Sequence, residues 1–264
     1  MFKQRLLTTL VLVPLILIAI YYGNLWVIRA LVLLLVVMAG VEWMQLIPLQ
    51  TFVAKLVYLT VLLLFVGLSL YGSYDGLMVD LGLWLLILFA VLLFPTSEAY
   101  WGFRIVVGGA ALIILPVFAS TMLAIYQHDS GKHLIVYLLC LVWATDIGAY
   151  LAGNGWGHHK LIPLVSPGKT IEGAMGGLLL AMFVAFIGSL CLHPESLTKW
   201  YWVSFSVALI SMLGDLFISM LKRRSKLKDT GHIFPGHGGI LDRIDSLIAA
   251  APLFYAGLVF VMGR

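Results

Sequence analysis

Long runs of apolar residues alternate with short polar breaks along this chain of 264 residues. A helix needs about 20 apolar residues to cross a hydrocarbon core roughly 30 Å thick. Nine runs come near that length, at about 6–22, 25–47, 52–71, 77–95, 105–127, 134–153, 173–193, 201–222 and 247–263. The pattern predicts an all-α polytopic membrane protein, a bundle of about nine transmembrane helices joined by short loops.

Composition supports this interpretation, because the chain is 62% hydrophobic and only 11% charged, whereas the apolar share of soluble domains is about half. No repeat, linker or soluble domain is visible, so we predict one membrane domain over 1–264, with N-terminal helices in 1–130 and the residues that carry chemistry in 134–264. Lys3, Arg5 and the first run resemble a secretory signal, but no small-residue cleavage site follows. We therefore expect a retained first helix.

Basic residues are distributed unevenly between the two sides of the predicted bundle. With a cytoplasmic N-terminus and Arg29 inside the second run, only Lys132, Lys199 and Arg264 fall outside. The cytoplasmic side receives Lys3, Arg5, Lys55, Arg104, Lys160, Lys169, Lys222, Arg223, Arg224, Lys226, Lys228 and Arg243. This asymmetry follows the positive-inside rule. It places both longer loops, 154–172 and 223–246, at the cytoplasmic surface, where we expect them to share one site.

Charged residues are concentrated between positions 215 and 245, which hold 6 of the 16 Lys and Arg residues and 4 of the 12 acids. Asp215 lies inside an apolar run, where an acid costs about 2.5 to 3.5 kcal/mol at the bilayer centre. Helical spacing puts Asp215, Ser219 and Lys222 on one face, and Asp242 with Asp245 on another if the ninth helix begins there. Two such faces can converge on Mg²⁺, which prefers carboxylate and phosphate oxygens.

Plainer explanations exist for the same residues. Asp215 can be a buried partner of a basic residue, and the dipole of a helix N-terminus favours acids such as Asp242 and Asp245. The basic run 222–228 can attract anionic lipid, at about 1 kcal/mol per residue. We leave these alternatives open.

Two further segments have the composition of anion-binding loops. In the stretch 235–239, Gly238 and Gly239 carry no side chain that would keep backbone N–H groups from an anion. In the other loop, Lys169 and Thr170 precede a predicted helix, where a charge, a hydroxyl and free amides can hold a phosphate. Asp146 lies near the inner end of the preceding span. The pair at 158–159 is not read as a zinc site, since no Cys or H-E-x-x-H helix accompanies it.

These residues resemble those of the phosphatidate cytidylyltransferases, also called CDP-diacylglycerol synthases. The C-terminal signature of that family is matched by Ser219, Lys222, Arg223, Lys228, Asp229, Gly231, Pro235, His237, Gly238, Gly239, Asp242, Arg243 and Asp245. The stretch from Ser166 to Thr170, with Glu172 and Gly173 after it, looks like the second block of the family. One departure is Asn154, where the family usually has a basic residue.

The resemblance implies a magnesium-dependent nucleotidyltransferase of phospholipid biosynthesis, which transfers CMP from CTP to phosphatidate and releases pyrophosphate. It implies a bacterial inner membrane protein whose active site faces the cytoplasm. The expected partners are CTP, phosphatidate and membrane lipid, and no nucleic acid. A second cation and a homodimer are left open.

The resemblance also implies roles for individual residues. Catalytic roles fall to Asp215, Ser219, Lys222, Asp242 and Asp245, with Asp215, Asp242 and Asp245 as the metal ligands. Substrate contacts fall to Asp146, Lys169, Thr170, Arg223, Lys228, His237, Gly238, Gly239 and Arg243. We expect Asp215→Asn and Asp242→Asn each to abolish turnover while folding stays intact.

An alternative from another functional class is an ion or solute transporter. The acids Glu42, Asp146 and Asp215 would then line a pathway through the membrane. The clustering of polar residues at one face and the lack of a visible inverted repeat count against it.

Overall fold

The structure is a computed structural model that describes residues 2–71, 76–231, 238–261 and 263, with side chains described from residue 12 onward within those ranges. Helices and one small hairpin make up this part of the chain. In order they are α1 Phe2–Tyr22, α2 Leu25–Leu46, α3 Phe52–Leu70, α4 Leu77–Leu92, α5 Glu98–Trp101, α6 Arg104–Gln127, α7 Gly131–Trp156, β1 Lys160–Ile162, β2 Ser166–Thr170, α8 Ile171–Leu192, α9 Leu197–Arg224 and α10 Leu241–Ala256, followed by a π-helical turn Gly257–Val261. The predicted all-α polytopic architecture is confirmed.

Each of the nine predicted runs corresponds to a helix, and seven helices in the described ranges are long and apolar enough to cross a membrane. The other two are α1, whose described apolar part is Leu12–Tyr22, and α4, which has 16 residues. At 1.5 Å per residue α4 is roughly 24 Å long, short of the hydrocarbon core. The chain is therefore a multi-pass membrane protein.

The last helix begins earlier than its hydropathy predicts. It starts at Leu241 rather than near 247, so Asp242 and Asp245 lie within its first turns. Their charge hides the start of the helix from a hydropathy scan, although acids are favoured near a helix N-terminus. Asp242 and Asp245 therefore lie on the same helix, as their shared face requires.

The predicted loop at 154–172 is largely ordered as regular structure. Helix α7 continues to Trp156, and β1 pairs antiparallel with β2, with Lys160 opposite Thr170 and Ile162 opposite Ser166. The hydroxyl of Thr170 then accepts a hydrogen bond from the N–H of Gly173 at 3.1 Å and caps α8. A short hairpin therefore connects α7 to α8.

The helices that carry charge lie at the centre of the bundle. In the most apolar 18-residue stretches, 67% of α9 and 72% of the span from Leu241 are buried, against 17% of α3 and 28% of α8. Burial inside protein keeps their polar groups away from lipid. Polar ends of aromatic residues are also satisfied there, since Trp43 Nε1 donates to the carbonyl of Val107 and Trp200 Nε1 to that of Ala185.

Helices α7 and α8 pack at very short range. A Cβ atom on Gly148 would lie 2.5 Å from the carbonyl oxygen of Gly176, and one on Gly173 would lie 2.8 Å from that of Ala149. Only glycine permits such an approach, as in other membrane helix pairs with small residues at the contact. The packing holds the end of α7 against the hairpin and the start of α8.

One end of the bundle gathers the termini of several helices. Arg224, at the end of α9, donates from Nε to the carbonyl of Gly102 at 2.7 Å and from Nη1 to that of Leu46 at 2.9 Å. Ser225 Oγ also donates to Leu46, at 3.1 Å. Unsatisfied carbonyls at the end of α2 thereby find donors. Arg224 thus joins α9 to α2 and to the start of α6.

Candidate active site

The two longer polar segments meet at this end of the bundle. Lys169 of the hairpin places Nζ 2.8 Å from Oδ2 of Asp215 in α9. Arg223 donates from Nε to the carbonyl of Val165, at the hairpin turn, at 3.1 Å. The site is therefore built from both segments, as the predicted topology requires.

Asp215 occupies the open side of the site. Its side chain is 34% exposed and that of Lys169 is 27% exposed. Ser219 Oγ donates to Oδ1 of Asp215 at 3.3 Å, which confirms that the two residues share a face of α9. In this structure Asp215 is paired with a basic residue, as the plainer explanation of its position anticipated.

Asp242 is held by four hydrogen bonds. Lys222 Nζ donates to Oδ1 at 2.7 Å, and the side chains of this pair are only 12% and 8% exposed. Oδ2 accepts from the N–H of Thr230 at 2.9 Å, from its hydroxyl at 3.0 Å and from the N–H of Gly239 at 3.2 Å. Both carboxylate oxygens therefore have partners, and Asp242 contributes to the N-terminal cap of α10.

Asp245 of α10 is a third acid at this end of α9. It is buried, and its backbone packs against the residue that precedes Asp215, since a Cβ atom on Gly214 would lie 2.3 Å from the carbonyl oxygen of Asp245. Oδ1 of Asp245 accepts from the N–H of Ser246 at 2.8 Å. Asp146 of α7 is exposed, and its role toward substrate stays a prediction.

No group of three or more His, Cys, Asp or Glu side chains within the described ranges is arranged to bind a metal ion. The structure divides the predicted ligands, since Asp242 is surrounded by protein donors while Asp215 is paired with the partly exposed Lys169. The magnesium site at these three residues stays a prediction.

Other predicted substrate residues occupy the surroundings. Lys228 and Arg243 are exposed, and Thr170 is buried beneath the hairpin. Gly238 has φ +79°, and a Cβ atom there would lie 2.8 Å from Oδ2 of Asp242, so its backbone needs glycine. His237 lies outside the described residues. The roles of these residues toward substrate stay predictions.

Glu172 organises the hairpin. It accepts hydrogen bonds from the N–H groups of His158 and His159, each at 3.2 Å, and its Oε1 lies 2.5 Å from Nδ1 of His159. These contacts hold the histidine pair and the start of the hairpin against the first turn of α8.

Two residues beside the site had no role in the predicted active site. Glu42 of α2 was considered from the sequence only as an acid lining a pathway or cavity; it is 2% exposed and accepts hydrogen bonds from the N–H groups of Ile240 and Leu241, each at 2.8 Å, and from the hydroxyl of Thr230 at 2.9 Å. An acid in an apolar run does mark Glu42 as unusual, although its partners could not be identified. Nothing in the sequence distinguishes Thr230.

Comparison with known proteins decides the family. Residues 3–261 match the profile of the cytidylyltransferase family. The chain belongs to that family. The phosphatidate cytidylyltransferase of Haemophilus influenzae is 36% identical over 99% of this chain and 100% of its own length, and that of Pseudomonas aeruginosa is 37% identical over 100% and 98%. A phosphatidate cytidylyltransferase of Staphylococcus aureus is 44% identical over 48% of this chain and 49% of its own length.

Membership of the cytidylyltransferase family confirms the resemblance found in the signature residues. The match extends through the N-terminal helices, which resemble the family only in hydropathy when the sequence is read by itself. A transporter is not favoured by these relatives.

Proposed function

We propose that this chain is a phosphatidate cytidylyltransferase, which joins CMP from CTP to phosphatidate and releases pyrophosphate. The observation that carries the proposal is the meeting of two ion pairs, Lys169 with Asp215 and Lys222 with Asp242, at one end of a membrane bundle. Phosphatidate cytidylyltransferases align over nearly the whole chain. One substrate is a lipid and the other is soluble, so a site at the end of the bundle is accessible to both.

The chemistry needs two anionic substrates to be held close together. A phosphate oxygen of phosphatidate attacks the α-phosphorus of CTP, a new P–O–P bond forms, and the bond to the β-phosphate breaks. The attacking phosphate is already ionised near neutral pH, so a general base is not required. The protein must position the two phosphates and neutralise charge on the transferring group and on pyrophosphate. Lys169 lies on the open side of the site, where its ammonium group can leave Asp215 and pair with a substrate phosphate.

A magnesium ion is part of the proposal. The carboxylates of Asp215, Asp242 and Asp245 are the hard oxygen ligands that Mg²⁺ prefers. Asp215 is the most accessible of the three, whereas Asp242 would have to exchange one of its protein donors to bind the ion. When bound, Mg²⁺ supplies charge neutralisation for the phosphoryl groups. In this structure Asp215 already holds a cation, the ammonium of Lys169, on the open side of the site. Ser219 donates a hydrogen bond to Asp215 and keeps its carboxylate oriented.

The proposed reaction is tested with purified protein, CTP labelled at the α-phosphate, Mg²⁺ and phosphatidate in mixed micelles. We expect label in a lipid product, and none when diacylglycerol replaces phosphatidate. The control variant is Asp80→Asn, since Asp80 is a buried acid of α4 that accepts a hydrogen bond from Trp84 on the same helix. A folded wild-type protein that labels no lipid would rule the function out.

We further propose that the site faces the cytoplasm of a bacterial inner membrane, a placement supported by the excess of basic residues at this end. Leu164, at the hairpin turn, is 62% exposed, and the native Cys191 at the opposite end of α8 is exposed as well. In right-side-out vesicles, an impermeant maleimide is expected to label Cys191 but not Leu164→Cys in a Cys191→Ser background. Inverted vesicles should give the reverse, and the opposite pattern would contradict the orientation.

A further inference from the structure

The contacts of Glu42 point to a role that the family signature does not include. We propose that Glu42 is a positioning residue. Through its hydrogen bonds to Thr230 and to the start of α10, it holds Asp242, and with it the partner Lys222, in place. The proposal rests on the proposed function for its effect on turnover. Its structural part can be tested without any substrate.

Glu42 caps a helix other than its own. The N-cap residue of α10, Ile240, offers no side-chain cap of its own. Oε1 of Glu42 accepts from the N–H of Ile240 and Oε2 from that of Leu241, each at 2.8 Å. The first N–H groups of a helix have no partner within it, and its positive end attracts a carboxylate. Glu42 therefore joins α2 to the exact residue where α10 begins.

The same carboxylate reaches Asp242 through one hydroxyl. Thr230 Oγ1 lies 2.9 Å from Oε2 of Glu42 and 3.0 Å from Oδ2 of Asp242. A hydroxyl has one proton, so it donates to one carboxylate at a time. The N–H of Thr230 also donates to Asp242, at 2.9 Å. A continuous series of contacts thus runs from Glu42 through Thr230 and Asp242 to Lys222.

Two glycines make the room for Glu42. A Cβ atom on Gly231 would lie 2.5 Å from Oε1, and one on Gly239 would lie 2.1 Å from Oε2. Glu42 has little freedom to move away, because it is buried, accepts the N–H groups of Ile240 and Leu241, and shares the hydroxyl of Thr230 with Asp242. Gly239 was predicted to admit an anion, and the anion beside it in this structure is a carboxylate of the chain itself.

These contacts distinguish a positioning role from a catalytic one. Within the part of the chain that the structure describes, the hydrogen-bond donors to Glu42 are Thr230, Ile240 and Leu241, and Thr230 is what links Glu42 to Asp242. Glu42 secures residues on both sides of the segment 232–237. Loss of its charge should therefore alter the placement of Asp242 rather than remove a group that contacts substrate.

Hydrogen exchange tests the structural part. In Glu42→Gln an amide NH₂ replaces one acceptor oxygen and faces a backbone or hydroxyl donor. We expect peptides that contain the amides of Ile240 and Leu241 to exchange about tenfold faster or more than in the wild type. Asp80→Asn, which alters an equally buried acid, should leave those peptides unchanged. If these peptides exchange in Glu42→Gln at the same rate as in the wild type, the proposal is overturned.

Turnover tests the functional part. We expect Glu42→Gln to lower kcat about 10- to 100-fold per folded molecule, because displacement of about 1 Å at a reacting group can cost 10²-fold. The KM for CTP should change by less than about threefold. Glu42→Asp, which keeps the charge, should recover part of the loss. In a double-mutant cycle, the variant with both Glu42→Gln and Thr230→Val should lose little more turnover than Glu42→Gln alone.

The outcomes separate the two proposals. Equal losses in Glu42→Gln and Asp80→Asn, or losses that follow only the folded fraction, would overturn the positioning role. Additive effects of Glu42→Gln and Thr230→Val would do the same. If the wild-type protein makes no lipid product, the proposed function fails, and the exchange experiment still decides whether Glu42 holds α10.

Discussion

Two lysine–aspartate pairs lie along the same face of α9, and they differ in their surroundings. The pair of Lys169 and Asp215 is about one-third exposed and joins a hairpin to a helix. The pair of Lys222 and Asp242 is nearly buried, and three further hydrogen bonds from Thr230 and Gly239 hold its carboxylate. The open pair is able to exchange its partner for a substrate anion. The closed pair is part of the scaffold around it.

This difference changes what single substitutions should do. Breaking an exposed pair costs about 0 to 1 kcal/mol, whereas removing one partner of a buried pair costs about 3 to 5 kcal/mol because a charge stays buried. A substitution in the open pair should therefore lower activity with little loss of stability, whereas a substitution in the closed pair should lower both. The four predictions that follow test this contrast.

The largest effect is expected at Asp215. Asp215→Asn should lower turnover by at least about 10²- to 10³-fold, because the variant loses a carboxylate proposed to hold the Mg²⁺ that neutralises the transferring phosphate. Stability should change by no more than about 1 kcal/mol, since the pair with Lys169 is partly exposed. Turnover of labelled CTP and thermal unfolding in detergent measure both, with Asp80→Asn as the matched acid. Activity within tenfold of the wild type would remove Asp215 from the site.

Asp242→Asn should affect both quantities. Lys222 stays buried without its partner, so the free energy of unfolding should fall by about 3 kcal/mol or more. The activity of the remaining folded protein should fall about 10²-fold, because the start of α10 shifts. The expectation from sequence, that folding stays intact in this variant, is thus replaced.

The double variant Asp242→Asn with Lys222→Met is the control for Asp242. It leaves no buried unpaired charge and should recover much of the lost stability while turnover stays low. Chemical denaturation in detergent, followed by tryptophan fluorescence, compares the two variants. Equal stability of Asp242→Asn and the wild type would show that the closed pair is not structural.

Lys169 should show a smaller and more specific effect. Lys169→Met should raise the KM for CTP about 10- to 100-fold, which corresponds to loss of a charged hydrogen bond of about 1.5 to 3 kcal/mol. Lys169→Arg keeps the charge and should retain most of the affinity. Initial rates at varied CTP and at varied phosphatidate distinguish the substrates. A rise only in the KM for phosphatidate would reassign Lys169 to the lipid.

Thr170 should have the smallest effect. Its hydroxyl caps α8 by accepting from Gly173, so Thr170→Val should cost about 1 kcal/mol of stability. Turnover should fall no more than about threefold, because Lys169 still reaches Asp215. Thr170→Ser preserves the cap and serves as the control. A much larger loss of turnover in Thr170→Val than in Thr170→Ser would show that the hydroxyl also contacts substrate.

Hydropathy predicted the helices well because each span has to bury its own backbone hydrogen bonds in an apolar stretch. It placed the start of α10 too late, because Asp242 and Asp245 interrupt the apolar pattern inside the helix. The hairpin at Lys160–Ile162 and Ser166–Thr170 was missed for a related reason. Its strands are short, and one contains Pro167 and Gly168, residues that are depleted in strands.

The site was predicted by its local patterns and missed where its contacts are distant in sequence. Helical spacing brought Asp215 and Ser219 together correctly, since the two residues are one turn apart. The pairing of Lys222 with Asp242, and the bonds of Glu42 to residues nearly 200 positions away, depend on how the helices pack. A single sequence, considered without its relatives, contains no record of contacts between residues so far apart.

The contacts of Glu42 also constrain the order in which the protein can assemble. Glu42 enters the membrane with α2, but Leu241, one of its three partners, is 199 residues further along the chain. At a synthesis rate of about 5 to 20 residues per second, that partner emerges about 10 to 40 s later. During this interval the acid remains without its cap, and hydration at the membrane surface is its alternative. A chain truncated between α2 and Ile240 would therefore lack both backbone N–H donors that cap Glu42 in the folded protein.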